Sequence, residues 1–123
     1  ILDIFEAGVN GTIGDLKVEV GDGAACCVVM ASDGYPTKYE QGFPIYGIKE
    51  AEALGDVIVF HAGTDSLDGQ LLTAGGRVVA VSGIDKDIHS AIDRAYKAVD
   101  AITFENQYAR RDIGYKALAR LES

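Results

Sequence analysis

The run Asp87-Ile88-His89-Ser90-Ala91-Ile92-Asp93-Arg94-Ala95-Tyr96-Lys97-Ala98-Val99-Asp100-Ala101-Ile102 decides the fold class. Ile88, Ile92, Ala95, Val99 and Ile102 recur at spacings of four, three, four and three, which winds them into one apolar stripe on an α-helix. Asp93, Arg94, Lys97 and Asp100 take the opposite side. Asp85 or Asp87 can cap the start by accepting hydrogen bonds from its free N–H groups.

Upstream of this helix the pattern changes to strands. Residues 24–31 form a continuous apolar run that reads as a buried strand and ends in the turn Ser32-Asp33-Gly34-Tyr35-Pro36. Val57-Ile58-Val59-Phe60-His61 is a second such strand. Residues 43–48 suggest a short strand and 49–54 a brief helix. Two further strands are expected at 70–73 and 77–82, after the hairpin-type pair Asp68-Gly69. At the far N-terminus, residues 2–10 have helical spacing, and 16–20 form a short alternating piece. Downstream of the long helix, a short final helix carries Tyr115, Leu118 and Leu121. One helix, mostly hairpin-linked strands, a long helix and a tail helix argue for an α+β fold, an antiparallel sheet with helices packed on one side.

The 123 residues suit one domain with one core. A net charge of -8 excludes a nucleic-acid or anionic-membrane binder, whose phosphates demand clustered cations. The exception is local: Arg110-Arg111, near Lys116 and Arg120, suits one phosphate group. Cys26 and Cys27 are neighbours on a strand, so they point apart and read as buried, reduced thiols in a cytoplasmic protein. No Cys/His ligand spacing, phosphate loop, nucleophile elbow, zinc-helix or EF-hand signature is present, so no catalytic or metal-ligating residue is assigned. The chain begins at Ile1 inside an uncapped helical pattern, which reads as a truncated start.

Four stretches can carry chemistry. Gly34-Tyr35-Pro36 follows a strand, where a loop can present backbone N–H groups and a ring to a ligand, although the local sequence by itself reads first as a plain turn. His61 ends another strand, before the small residues Ala62-Gly63-Thr64 that permit close approach of a ligand or another backbone, and a satisfied structural histidine is the alternative. Gly75-Gly76-Arg77 reads most simply as a strand connection, with Arg77 paired to a surface carboxylate. Arg110-Arg111 offers two forked donors that match phosphate oxygens, or a solvated turn paired with acids such as Asp112.

In order, Val28-Val29-Met30-Ala31-Ser32, Gly34-Tyr35-Pro36, Val59-Phe60-His61-Ala62-Gly63-Thr64, Gly75-Gly76-Arg77-Val78 and Arg110-Arg111-Asp112-Ile113-Gly114-Tyr115 resemble the C-terminal region of the phosphoribosylamine–glycine ligase family. The resemblance runs from about Ala24 to the end. It implies that residues 1–23 close an ATP-grasp domain and connect to a C-terminal substrate-site domain at 24–123. It also implies a parent enzyme that joins glycine to phosphoribosylamine with ATP and magnesium in de novo purine synthesis. The ATP and metal site would lie in sequence before Ile1, leaving this piece inactive and without bound cofactor, its partners being the remaining N-terminal and ATP-grasp domains. Arg110 and Arg111 match the basic pair that holds a sugar 5-phosphate in related enzymes, and Gly34, Tyr35, Pro36 and His61 would border the same cavity. Asp33 stands where the family usually has Gly. A freestanding binding module derived from such a domain is the alternative. The structurally similar domain of biotin-dependent carboxylases fits the Gly-Tyr-Pro and His-Ala-Gly-Thr pair poorly.

Overall fold

A computed structural model describes residues 1–121. Its elements are α1 (Leu2–Val9), a 3-10 turn (Ile13–Asp15), β1 (Ala24–Ser32), α2 (Ile48–Glu52), β2 (Val57–His61), β3 (Thr64–Leu67), β4 (Gln70–Thr73), β5 (Arg77–Asp85), α3 (Ile88–Ala101), β6 (Gln107–Ala109) and α4 (Tyr115–Leu121). The expected α+β class holds. β2, β5, β1 and β6 form an antiparallel sheet in that order, and β3 and β4 form a separate hairpin.

Neighbours in the main sheet are never consecutive in the chain, so its strands are not hairpin-linked as the sequence suggests. Among the described residues only β3–β4 is a hairpin, and its turn is the expected one: Asp68 and Gly69 both have positive φ, at 50° and 82°. The expected strand at 43–48 is realised as two isolated bridges, Pro44 to Leu72 and Tyr46 to Thr103. Proline has no N–H for a ladder, and Gly47 at φ 86° turns the chain into α2. Residues 16–20 form no strand. Two strands escape the sequence reading: β3, which is polar, and β6, which has three residues.

α3 lies across β5 and β1. Its stripe of Ala91, Ile92, Ala95, Ala98 and Val99 meets Cys26, Val28 and Met30 of β1, Val79 and Val81 of β5, and Val57 and Val59 of β2 in one core. Gly83 sets the closeness of that contact. A Cβ there would stand 2.5 Å from the Ala95 nitrogen and 2.7 Å from the Ala91 oxygen, both rigid backbone atoms. Asp87 is the N-cap, its carboxylate accepting from the Ser90 N–H at 2.8 Å. Arg94 ties α3 to its surroundings, donating to Asp85 at 2.6 Å and to the Gly55 carbonyl at 2.9 Å, which closes the C-terminal end of α2.

The other face of the sheet is open. Ile58 and Phe60 of β2, Val29 of β1 and Ile84 of β5 are all exposed there. β1 and β2 are therefore half-covered strands, not the doubly buried ones that their apolar runs suggest. Cys27 shares this exposure, so only Cys26 is the buried thiol expected of both, and burial pushes its pKa up.

A Gly83→Ala variant is expected to lift α3 from the sheet and to cost about 3 kcal/mol, the upper part of the range for overpacking, read as a lower urea midpoint. Acid gives a second test. The Arg94 guanidinium holds Asp85 below the ordinary carboxylate value, and the Ser90 N–H does the same for Asp87. A lowered folded pKa gives stability that is complete above the unfolded value, about 3.9, and is lost as pH falls through the folded one. The melting temperature should accordingly drop as pH falls below about 4. Asp87→Asn, which keeps an N-capping acceptor without the charge, should melt with a smaller acid loss than the parent.

Candidate functional site

Three of the motifs singled out in the sequence converge at one end of the sheet. The Ser32 N–H donates to the Gly76 carbonyl at 2.8 Å, and its hydroxyl donates to the Gly75 carbonyl at 3.1 Å. Ser32 is thereby one of two buried polar side chains among the described residues, and fully satisfied. The chain then turns through Gly34, at φ 87°, into a cis Tyr35–Pro36 bond. The Asp33 N–H donates to the Asn106 carbonyl at 2.7 Å, which ties this loop to the turn entering β6. Asn106 itself has φ 59°. The Tyr35 ring lies against Gly76, where any β-carbon would overlap it, and meets Tyr39 edge-on with centroids 5.9 Å apart.

The same end holds the exit of β2. Past His61 the pairing with β5 continues, the Gly63 N–H donating to the Arg77 carbonyl at 2.8 Å, and Gly63 packs on Gly75 backbone to backbone. His61 is exposed, with Nδ1 3.1 Å from the Thr64 hydroxyl. Gly34, Tyr35, Pro36 and His61 are thus at one end of the sheet, joined through Gly63, Gly75 and Gly76. Asp33 stays in the turn through its N–H, which anchors the loop's backbone to the turn entering β6.

Arg110 and Arg111 leave the sheet elsewhere. β6 runs from Gln107 opposite Ser32 to Ala109 opposite Met30, so Arg110 begins roughly 10 Å along the edge from the Ser32 end, at about 3.4 Å per residue. The two guanidiniums diverge. Arg110 makes a two-point pair with Asp112, at 2.9 and 2.7 Å, with both side chains more than half exposed. Asp112 raises the Arg110 guanidinium above its ordinary pKa, with the Tyr108 and Tyr115 phenols adding to the field. Arg111 turns to α3, donating to Asp100 at 2.6 Å with its guanidinium carbon 5.7 Å from the Tyr96 ring centre.

Tyr96, which sequence reasoning passed over, fixes this turn. Its hydroxyl donates to the Arg110 carbonyl at 2.8 Å and accepts from the Ile113 N–H at 3.0 Å. Gly114, at φ 92°, then fits against Ile92. Tyr96 lies beside the apolar stripe of α3, and a tyrosine there rather than a phenylalanine is the only hint of a hydroxyl with backbone work to do.

The opposite end of the sheet carries an open depression of about 570 Å³ lined by Asp22, Asp56 and Asp85 with Lys86. Three carboxylates against one ammonium disfavour a phosphate there. Among the described residues, no group of three or more His, Cys, Asp or Glu side chains is placed to hold a metal ion.

Residues 25–116 match the family described as phosphoribosylglycinamide synthetase, C domain. The chain belongs to this family. It is 53% identical over 96 residues to the phosphoribosylamine–glycine ligase of Synechocystis, covering 78% of this chain and 23% of that protein. It is 47% identical over 119 residues to the Chlorobaculum tepidum ligase of the same name, covering 94% of this chain and 28% of the relative. The crystal structure of phosphoribosylamine–glycine ligase from Thermotoga maritima superposes with a TM-score of 0.71 at 32% identity, covering 89% of this chain and 27% of that one. As a phosphoribosylglycinamide synthetase C domain, this chain spans about a quarter of the length of these relatives.

The Tyr35–Gly76 contact is a direct test of the convergence. Nuclear Overhauser contacts between the Tyr35 ring and the Gly76 α-protons are expected. Gly76→Ala should abolish them and displace the 33–37 loop while leaving the β1–β5 amide pattern from Ala24 to Met30 intact.

Proposed function

We propose that this domain forms one wall of the substrate site in a ligase that joins glycine to phosphoribosylamine at the expense of ATP, a step of purine biosynthesis. The observation that carries this reading is the family match over residues 25–116, with relatives named for that reaction on either side of 50% identity. In the proposed reaction the glycine carboxylate is phosphorylated by ATP, the sugar amine attacks the resulting acyl carbon, and inorganic phosphate leaves. No residue of this chain is assigned to ATP or magnesium. Those parts are placed in the remainder of the ligase, which we also propose to cover the open face of the sheet. No described helix is long and apolar enough to cross a membrane, and a cytoplasmic location completes the reading.

Arg110 and Arg111 are proposed to hold the sugar phosphate. Each is committed to a carboxylate, but through a solvent-exposed pair of the kind worth about 0–1 kcal/mol. A phosphate dianion offers more charge and a geometry that matches the guanidinium fork, so it can displace Asp112 and Asp100 at little cost. The carboxylates then act as latches that keep the side chains extended when the site is empty. The Gly34–Pro36 loop and His61 border the cavity, and their role is positioning: holding two reactants together converts an encounter into a near-unimolecular step. No residue here is assigned acid–base or nucleophilic work.

The test is turnover. The full-length chain carrying this domain should form glycinamide ribonucleotide only with glycine, phosphoribosylamine and ATP together. Residues 1–123 alone should consume no ATP in a glycine-dependent way, and such consumption would overturn the division of labour. In the full-length chain Arg110→Ala and Arg111→Ala should each raise the KM for phosphoribosylamine tenfold or more, as loss of a charge-assisted hydrogen bond implies, with the KM for glycine unchanged.

A further inference from the structure

The arginine that the sequence reading paired with a surface carboxylate has no such partner. Arg94, Arg110 and Arg111 each hold an acid. Arg77 is exposed and, among the described residues, its guanidinium makes no hydrogen bond, ion pair or ring contact.

Its placement comes from a β-bulge. Along β1 and β5 the register advances one for one until Met30 faces Val79, and then Ala31 faces Arg77. Val78 is the extra residue. Val78 and Val79 both belong to the core and are fully buried, so the alternation of β5 is broken between them. Arg77, which strict alternation would have sent to the α3 side with Val79, is re-aimed to the open face with Ala31. Ala31 faces Tyr108 on its other side, so Arg77, Ala31 and Tyr108 form one cross-strand row. Tyr108 in turn contributes to the field at Arg110. The row spans two strand spacings, about 10 Å, within reach of two extended arginine side chains.

The surroundings hold the Arg77 backbone firmly. The Arg77 carbonyl accepts from the Gly63 N–H, Gly75 packs on Gly63, and the Tyr35 ring covers Gly76. An unpaired guanidinium on a firmly held backbone, beside a glycine-built loop cluster, is ready to accept an anion, since no competing carboxylate must be displaced first.

We propose that Arg77 is a ligand-binding residue that takes an oxyanion, phosphate or carboxylate, on the open face beside Arg110. This rests on the ligase reading for the identity of the reactants and adds to it a contact that the Arg110–Arg111 pair does not supply. Three sources of such an oxyanion exist in that reaction: the sugar phosphate, the glycine carboxylate and the ATP phosphates.

Steady-state kinetics of the full-length chain with Arg77→Ala, Arg77→Lys and Arg110→Ala separates them. Arg77→Ala should raise the KM for one reactant tenfold or more; the reactant affected identifies the source. Arg77→Lys keeps the charge but loses the fork and should fall between. Because the side chain is exposed and unpaired, both variants should melt within a few degrees of the parent. If all three KM values stay within twofold for Arg77→Ala, or if only kcat and melting temperature fall, the assignment is wrong. If that happens while Arg110→Ala still raises the KM for phosphoribosylamine, the ligase reading stands and this inference alone fails. A parent chain with no ligation activity would remove both.

Discussion

The contact of α3 with Gly83 governs the rest of the molecule. A helix resting on a glycine approaches the sheet until backbone touches backbone, and Ala91 and Ala95 have side chains small enough to allow it. That approach fixes the height of α3 along its whole length. One residue past Ala95, Tyr96 reaches sideways to the 110–113 turn, and a turn further on Asp100 reaches Arg111. Beside Ala95, at mid-helix, Arg94 reaches Asp85 on the same strand that carries Gly83, and also the end of α2. The position of the arginine pair is therefore a consequence of core packing. Interiors are close-packed and bistable rather than elastic, so a shift of α3 by a methyl group would move the turn as a unit.

The fold was legible where a side-chain period extends over several turns or residues. The α3 stripe, the two apolar strands and the Asp68-Gly69 hairpin need no tertiary information, because helix sterics and left-handed turn conformations select those residues locally. What was not legible depends on partners. β6 has three residues, and its only strand partner is β1. β3 is polar because its pairing with β4 lies outside the main core. The apolar character of residues 43–48 suggested a strand, but Pro44 and Gly47 limit the segment to isolated bridges that fasten the hairpin and the end of α3. Cys27 shows the same limit in one residue: an apolar run does not reveal that only one of its faces is covered.

The candidate site divides in the same way. Glycines that tolerate backbone contact or positive φ were visible as motifs, and they do bring the 33–36 loop, the exit of β2 and the start of β5 together. The partners of the charged groups were not visible. Asp112, adjacent in sequence to the arginine pair, captures Arg110, whereas Asp100 captures Arg111 only because α3 passes beside the turn. Arg77 is exposed as a surface pairing requires, but the carboxylate expected to meet it is not there, and the bulge that sets its face is not announced by Arg77-Val78-Val79.

The open face explains why the bulge matters. Val57-Ile58-Val59-Phe60 is apolar on both sides, the pattern of a strand buried on both faces, yet α2 and α3 cover only one. A water-facing surface would alternate. Ile58, Phe60, Val29 and Ile84 thus compose a surface suited to protein contact rather than to solvent. Where such a surface is closed off, an oxyanion at its edge leaves bulk water, and the charges that meet it count for more as the local dielectric falls. A cation held back on the helix side would gain nothing from that closure. The bulge puts Arg77 on the side where it does, at the end of the sheet where Gly63, Gly75 and Gly76 let the three loops pack against one another.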